Sequence, residues 1–152
     1  MVTGKTDAEW LQQGMDVYTK RLGFYLPFEL KVIPDVKNSR GLSAHEYREK
    51  EAELILQALE NKNEIYLLDE RGTGYSSREL ARFIERKVVS GIRELIFIIG
   101  GPYGFSEKIL KRSTSRISLS KMTFSHQMVR LLFLEQLYRS FTIIKGEPYH
   151  HD

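Results

Sequence analysis

The sequence predicts an α/β fold, a parallel sheet with helices on both faces. Two unbroken apolar runs, EIYLLD at 64–69 and ELIFIIG at 94–100, have the composition of strands covered on both sides, as parallel strands are. Helical periodicities with start signals lie between and around them, so strand and helix alternate along the chain. The 152 residues, 41% hydrophobic and 28% charged, have ordinary globular usage, and 1–152 is read as a single domain. A domain of that size buries about 68–70% of its unfolded surface, enough for a core of its own.

Thr6 and Glu9 have the spacing of a capping box before a first helix striped by Leu11, Met15, Tyr18 and Leu22. A short strand is expected where Phe28, Leu30 and Val32 alternate with Glu29 and Lys31, ended by Pro34. Ser43 and Glu46 repeat the capping box ahead of Tyr47, Leu54, Ile55, Ala58 and Leu59. After the first buried strand, Ser76 and Glu79 start a third helix with Leu80, Phe83, Ile84 and Val88 inward and Gly91 at its stop. Beyond the second buried strand come a short helix from Ser106, a short strand over 116–120 with Ile117 and Leu119 on one side, and a last helix over 127–141. That helix carries Met128, Val129, Leu131, Leu132, Phe133, Leu134, Leu137, Tyr138 and Phe141, more apolar surface than one sheet face needs. Part of it is expected to bury against another subunit. The opening MVTGKT is short for a full first strand, so the native start is expected to be longer.

Composition removes several classes of chemistry. There is no cysteine, which excludes disulfides, thiol catalysis and cysteine-bound zinc and suits a reducing cytoplasm. No apolar run reaches the roughly 18 residues of a membrane span, and no signal peptide opens the chain. The net charge of +3 conceals an asymmetry: residues 1–60 hold 8 Lys and Arg against 10 Asp and Glu, whereas 61–152 hold 15 against 10. Lys108, Lys111, Arg112, Arg116, Lys121 and Arg130 face only Glu107 between Phe105 and Arg130. A solvated helix face and a surface that holds nucleic-acid phosphates both fit that excess.

In an open α/β sheet, ligands bind beyond the carboxyl ends of the strands. One such end, 69–77, nearly matches a dinucleotide G-x-G-x-x-G. Asp69 and Glu70 would crowd a pyrophosphate, however, and Gly100 and Gly101 replace the acid expected after the next strand. Gly4-Lys5-Thr6 matches the end of a P-loop but lacks its earlier glycine. Gly100-Gly101-Pro102-Tyr103-Gly104 ends a buried strand with room for close approach by a ligand, or is simply a tight turn. His126 before the last helix reads as a cap or a satisfied core histidine. PYHHD, 148–152, groups tyrosine, histidines and carboxylates in a terminal tail; adjacent residues make a poor metal site, so no metal is expected.

IIGGPYGFSEKI at 98–109, SLSKMTFSHQMVRLLFLEQLYRSFTI at 118–143 and the closing PYHHD resemble one family in particular. They are similar to the bacterial SPOUT-class RNA methyltransferases of the RlmH family, the pseudouridine N3-methyltransferases of large-subunit rRNA. The resemblance extends over essentially the whole chain, including LLDERG and GKT. It implies a C-terminal trefoil knot, a homodimer, a cytoplasmic enzyme and S-adenosylmethionine as methyl donor. It places that cofactor against Leu68, against Gly100, Gly101 and Gly104, and along Leu119, Ser120, Lys121, Met122, Thr123 and Phe124.

The implied reaction is methylation of N3 of a pseudouridine in the intersubunit stem-loop of 23S rRNA, on the assembled ribosome. N3 must lose a proton, and His150 is the first candidate base, with Tyr149 and His151 behind it, since histidine titrates near pKa 6.5. Lys108, Lys111, Arg112, Arg116 and Arg130 would hold RNA backbone, and Tyr149 a base. Arginine is common in the family where His151 stands, so a phosphate contact is not expected there. The competing readings are a catalytically inactive RNA- or ribosome-binding protein of the same fold, and a nucleotide-binding oxidoreductase.

Overall fold

A computed structural model describes residues 1–150. Five strands form one all-parallel sheet in the order β2-β1-β4-β3-β5: β1 (Val2–Thr3), β2 (Val32–Ile33), β3 (Ile65–Gly74), β4 (Ile96–Ile99) and β5 (Ser115–Ser118). The helices are α1 (Glu9–Leu22), α2 (Ala44–Leu59), α3 (Ser77–Val89), α4 (Glu107–Arg112) and α5 (His126–Lys145).

Successive strand residues point to opposite faces, and the two faces have different helical covers. Ile65, Leu67, Ile96 and Ile98 pack with Ala52, Ile55 and Leu59 of α2 and Ile109 of α4. Tyr66, Leu68, Ile99 and Ile117 pack with Met15 of α1, Leu80 and Ile84 of α3, and Phe133, Leu134, Leu137 and Phe141 of α5. Helices on both faces and unbroken apolar central strands are therefore one fact seen at two scales.

The capping boxes predicted at Ser43–Glu46 and Ser76–Glu79 are formed, with both reciprocal bonds in each. The one expected at Thr6–Glu9 is not. Ala8 occupies the N-cap of α1 without a side-chain bond. The Thr6 hydroxyl instead accepts from Arg130 Nη1 at 2.9 Å. A cation on α5 thus takes the hydroxyl that the spacing assigned to the helix start.

Several boundaries also move. The strand expected over 28–32 shrinks to Val32–Ile33, because Phe28 and Leu30 lean into the core from irregular backbone. Val88 is 60% exposed rather than inward, since it lies in the last turn of α3. Gly91, at φ +75°, follows that helix as expected. The 69–74 segment, expected as a loop, continues β3 and pairs with β5 on both sides of a five-residue register shift: Leu68 and Thr73 both register with Ile117. Gly72 is pressed onto β5 there. A Cβ on it would lie 2.6 Å from the backbone of Arg116 and Ile117. The last helix is longer than expected, and within this chain its apolar residues pack against α1, α3 and the sheet.

Candidate active site

The carboxyl ends of β4 and β5 and the irregular middle of β3 open into one cleft of about 580 Å³, within the range of small-molecule sites. Three separate stretches line it: Leu68 to Arg71, Ile99 to Phe105, and Arg116 to Val129 with gaps. The first turns on Asp69, whose Oδ1 accepts the Arg71 amide at 2.8 Å. The second is a tight turn in which the Gly104 N–H donates to Gly101 O at 3.4 Å, with Gly104 at φ +71°. Space beneath it is filled: a Cβ at Gly100 would sit 3.0 Å from the Phe105 ring.

Serines shape the third stretch. The Ser118 hydroxyl donates to Ser120 O at 2.9 Å, and Ser120 Oγ accepts the Met122 amide at 2.9 Å. Ser125 then caps α5 by accepting from the Met128 amide. The cleft wall mixes apolar side chains and glycine main chain with the charged side chains of Arg48, Asp69, Glu70, Arg71 and Arg116. Leu68, Ile99 and Ile117 are buried, whereas Tyr103, Met122 and Phe124 are exposed around it.

Of the sequence-predicted cofactor residues, Leu68, Gly100, Gly101, Gly104, Leu119, Ser120, Met122, Thr123 and Phe124 line this cleft. Lys121 is exposed and lies outside the lining. Of the five predicted RNA-backbone cations, only Arg116 lines it. Lys108 pairs with Glu49 at 2.8 Å, Lys111 is exposed at the end of α4, and the Arg112 guanidinium donates to the Lys62 carbonyl.

Arg130 departs most from expectation. It is 1% exposed and donates to Thr3 O at 2.5 Å, Gly4 O at 3.0 Å and the Thr6 hydroxyl. Its guanidinium ties β1 to α5 and does not face outward, so in this placement it cannot reach a phosphate backbone.

The tail lies elsewhere. Tyr149 and His150 fold back onto the far half of α5, while His126, its first residue, lines the cleft. By the 1.5 Å rise per residue, about 14 Å of helix separates His126 from Glu135. The Tyr149 hydroxyl donates to Glu135 Oε1 at 3.2 Å and lies 3.3 Å from the Tyr18 hydroxyl. Its ring packs edge-on against Tyr138 and under the Arg139 guanidinium. Arg139 holds Glu135 through Nε at 3.0 Å and meets His150 Nδ1 at 3.4 Å. Burial, then the Tyr18 hydroxyl and the charge of Glu135, push the Tyr149 phenol up from its ordinary value. His151 lies outside the described residues.

Sequence reasoning missed three participants. His126 is a cleft residue whose imidazole is pushed down by burial and then by the Arg130 charge. Glu135 and Arg139 were legible as an i,i+4 acid–base pair, but nothing marked them as the mooring of the tail. Among the described residues, no group of three or more His, Asp or Glu is placed to hold a metal ion. No helix among them is long and apolar enough to cross a membrane.

Comparison with known proteins bears on this arrangement. A family profile described as "Predicted SPOUT methyltransferase" matches residues 1–150. A protein named Ribosomal RNA large subunit methyltransferase H from Flavobacterium johnsoniae is 55% identical over 148 residues, covering 97% of this chain and 94% of its own. Proteins of the same name from Christiangramia forsetii and Parabacteroides distasonis are 52% and 49% identical. The first of these spans 97% of this chain and 94% of the relative; the second spans 100% and 97%.

Proposed function

Because the chain belongs to the SPOUT methyltransferase family, and within it to the RlmH family, we propose that it methylates N3 of a pseudouridine in the intersubunit stem-loop of 23S rRNA. The donor is S-adenosylmethionine, the substrate is the assembled ribosome, and the enzyme is a single-domain cytoplasmic homodimer. One observation carries this reading. Three stretches far apart in sequence, each assigned to the cofactor by family resemblance, converge on one cleft at the carboxyl end of a parallel sheet. The trefoil knot belongs to the same proposal and rests on the family match.

The residues present suit such a cofactor. Leu68, Leu119 and Met122 supply apolar cover for an adenine, and the main-chain groups of 100–104 and 119–124 supply donors and acceptors for its edge. S-adenosylmethionine brings an electrophilic methyl on sulfur, so the protein's work is alignment of the nucleophile. His150 takes the N3 proton on a ring nitrogen, with Tyr149 beside it, and His151 is kept as a further candidate in the tail. Because the tail of a given chain is moored on the far half of its own α5, it serves the cleft of the other protomer. Lys111 and Arg116 hold RNA backbone.

The test is a methyl-transfer assay on separated subunits and on 70S ribosomes lacking the modification, with the product mapped to the nucleotide. Transfer to N3 of a single pseudouridine, on 70S particles, is expected. Calorimetry with S-adenosylmethionine runs beside it: no binding at millimolar ligand leaves the inactive ribosome-binding reading in its place.

A further inference from the structure

Glu51 is an anomaly on α2. Its neighbours on the buried face are Ala52, Ile55 and Leu59, and it is itself 4% exposed. A carboxylate removed from water needs partners to stay. Glu51 Oε2 accepts the Gly101 N–H at 3.2 Å. Its Oε1 occupies the place a side chain at 101 would take, because a Cβ there would lie 2.4 Å away. The contact is two-sided: the glycine makes room for the carboxylate, and the carboxylate holds the glycine's amide.

Gly101 stands where β4 turns into the cleft wall. On its other side the Glu51 carboxylate neighbours the Thr3 hydroxyl. The carbonyl of Thr3 in turn accepts from buried Arg130 of α5. Asp35 is the other acid facing this group, seated against Gly4. The 100–104 turn is thus bonded to Glu51, which lies beside the start of β1, and Arg130 separately bonds β1 to α5, whose first residue, His126, also lines the cleft.

We propose that Glu51 is a positioning residue for the cofactor cleft, its carboxylate fixing the Gly101 turn at the distance from α5 that the ligand requires. The proposal rests on the reading of the cleft as an S-adenosylmethionine site, and it assigns Glu51 no contact with the ligand.

The experiment is a double-mutant cycle read by calorimetry with S-adenosylmethionine, with amide exchange at Gly101 followed in the same full-length proteins. Glu51→Ala removes the acceptor and Gly101→Ala forces the carboxylate away; each should weaken binding about tenfold or more. The double variant should bind no worse than the weaker single, because both changes break one contact. Glu51→Gln, which keeps an acceptor oxygen, should restore binding to within about threefold of the starting protein. Gly101 amide exchange should speed at least about tenfold in Glu51→Ala and return to normal in Glu51→Gln. Should Glu51→Ala fail to fold, Glu51→Met fills the space without an acceptor and takes its place in the exchange measurement, where Gly101 amide exchange should speed alike.

Losses that multiply in the double variant, or unchanged exchange at Gly101 in the acceptor-less variant, overturn the proposal. Failure of the cofactor reading looks different. The unaltered protein then binds no S-adenosylmethionine, while Gly101 exchange still reports whether Glu51 holds the turn.

Discussion

The two ends of α5 present opposite kinds of surface. At His126 the helix meets a cleft whose glycine turn and serine loop are shaped by main-chain bonds, with Arg48, Asp69, Glu70, Arg71 and Arg116 among its lining. At the far end, beyond Glu135, the chain folds back into a cluster of rings and charges: Tyr18, Tyr138, Tyr149, Glu135, Arg139 and His150. The first end depends on close main-chain fit, since a Cβ at Gly100 or Gly101 would meet Phe105 or Glu51. The second is held by single contacts, each worth about 1 kcal/mol and each removable. Backbone changes should therefore damage the cleft end most, and side-chain changes the tail end.

The largest effect should come from Gly72→Ala. The added carbon meets the β5 backbone at 2.6 Å, and neither strand can yield without breaking its ladder. A loss of about 3 kcal/mol or more is expected, a fall of roughly 6–12 °C in Tm. Gly74→Ala, two residues on, has open space around the same carbon and should melt like the unaltered protein. Equal Tm values for the two variants would break the claim that the cleft end is controlled by backbone fit.

Next comes the tail. His150→Ala should reduce methyl transfer by about 100-fold, the scale of a lost proton acceptor, with S-adenosylmethionine affinity within about twofold of normal. If the tail serves the other protomer, an equal mixture with Gly100→Leu should recover activity. That second change crowds the Phe105 ring beneath the cleft. Half of randomly assorted dimers then hold one intact cleft facing one intact tail, giving about a quarter of full activity. No recovery on mixing would return the tail to its own chain.

The contrast between the two ends also explains what the sequence revealed. Strand and helix alternation, two capping boxes and the cover on both sheet faces followed from patterns within 4–15 residues, the range over which hydrophobic period and cap chemistry act. The cleft residues were found by motif resemblance, and nine of the ten lie together on its wall. What escaped was set by contacts across the chain. Thr6 looked like a cap until Arg130, 124 residues on, took its hydroxyl. Arg130 itself counted as a surface cation because charge in a sequence carries no depth. Glu51 was invisible for the same reason, and the continuation of β3 through Gly74 depends on a β5 more than 40 residues later.

A smaller loss should follow Ser76→Ala. Ser76 closes a capping box with Glu79, donating to Glu79 Oε2 at 2.8 Å and accepting the Glu79 amide at 3.3 Å. Removing the hydroxyl should lower stability by about 1 kcal/mol, read as a shift in the urea midpoint. Because α3 packs on the far half of α5 through Ser77 and Gln136 at 2.7 Å, activity on ribosomes should hold while the protein remains folded. A disproportionate loss of turnover would mean that α3 sets the tail's position as well as the core's.

The smallest effect is a slope against pH, and it separates the two ends by titration. Burial raises the Glu51 carboxyl above its ordinary range, with the Gly101 amide and the Thr3 hydroxyl opposing. A group whose folded value is raised contributes stability below its unfolded value and loses it as pH climbs through the folded one. Glu51 therefore makes the protein less stable as pH rises from about 4.5, and Glu51→Gln removes that slope. The difference in Tm, variant minus unaltered protein, should grow as pH rises and then level off once Glu51 is ionised. Glu46, Glu64 and Glu79 slope the other way, because hydrogen bonds from Ser43, Lys87 and Ser76 hold them low. They are common to both proteins and cancel in the difference. At the tail end the Tyr149 phenol is pushed further from titration, so Tyr149→Phe should give a flat difference over the same range. A flat line for Glu51→Gln as well would mean that the carboxylate is better solvated than its place under the cleft implies.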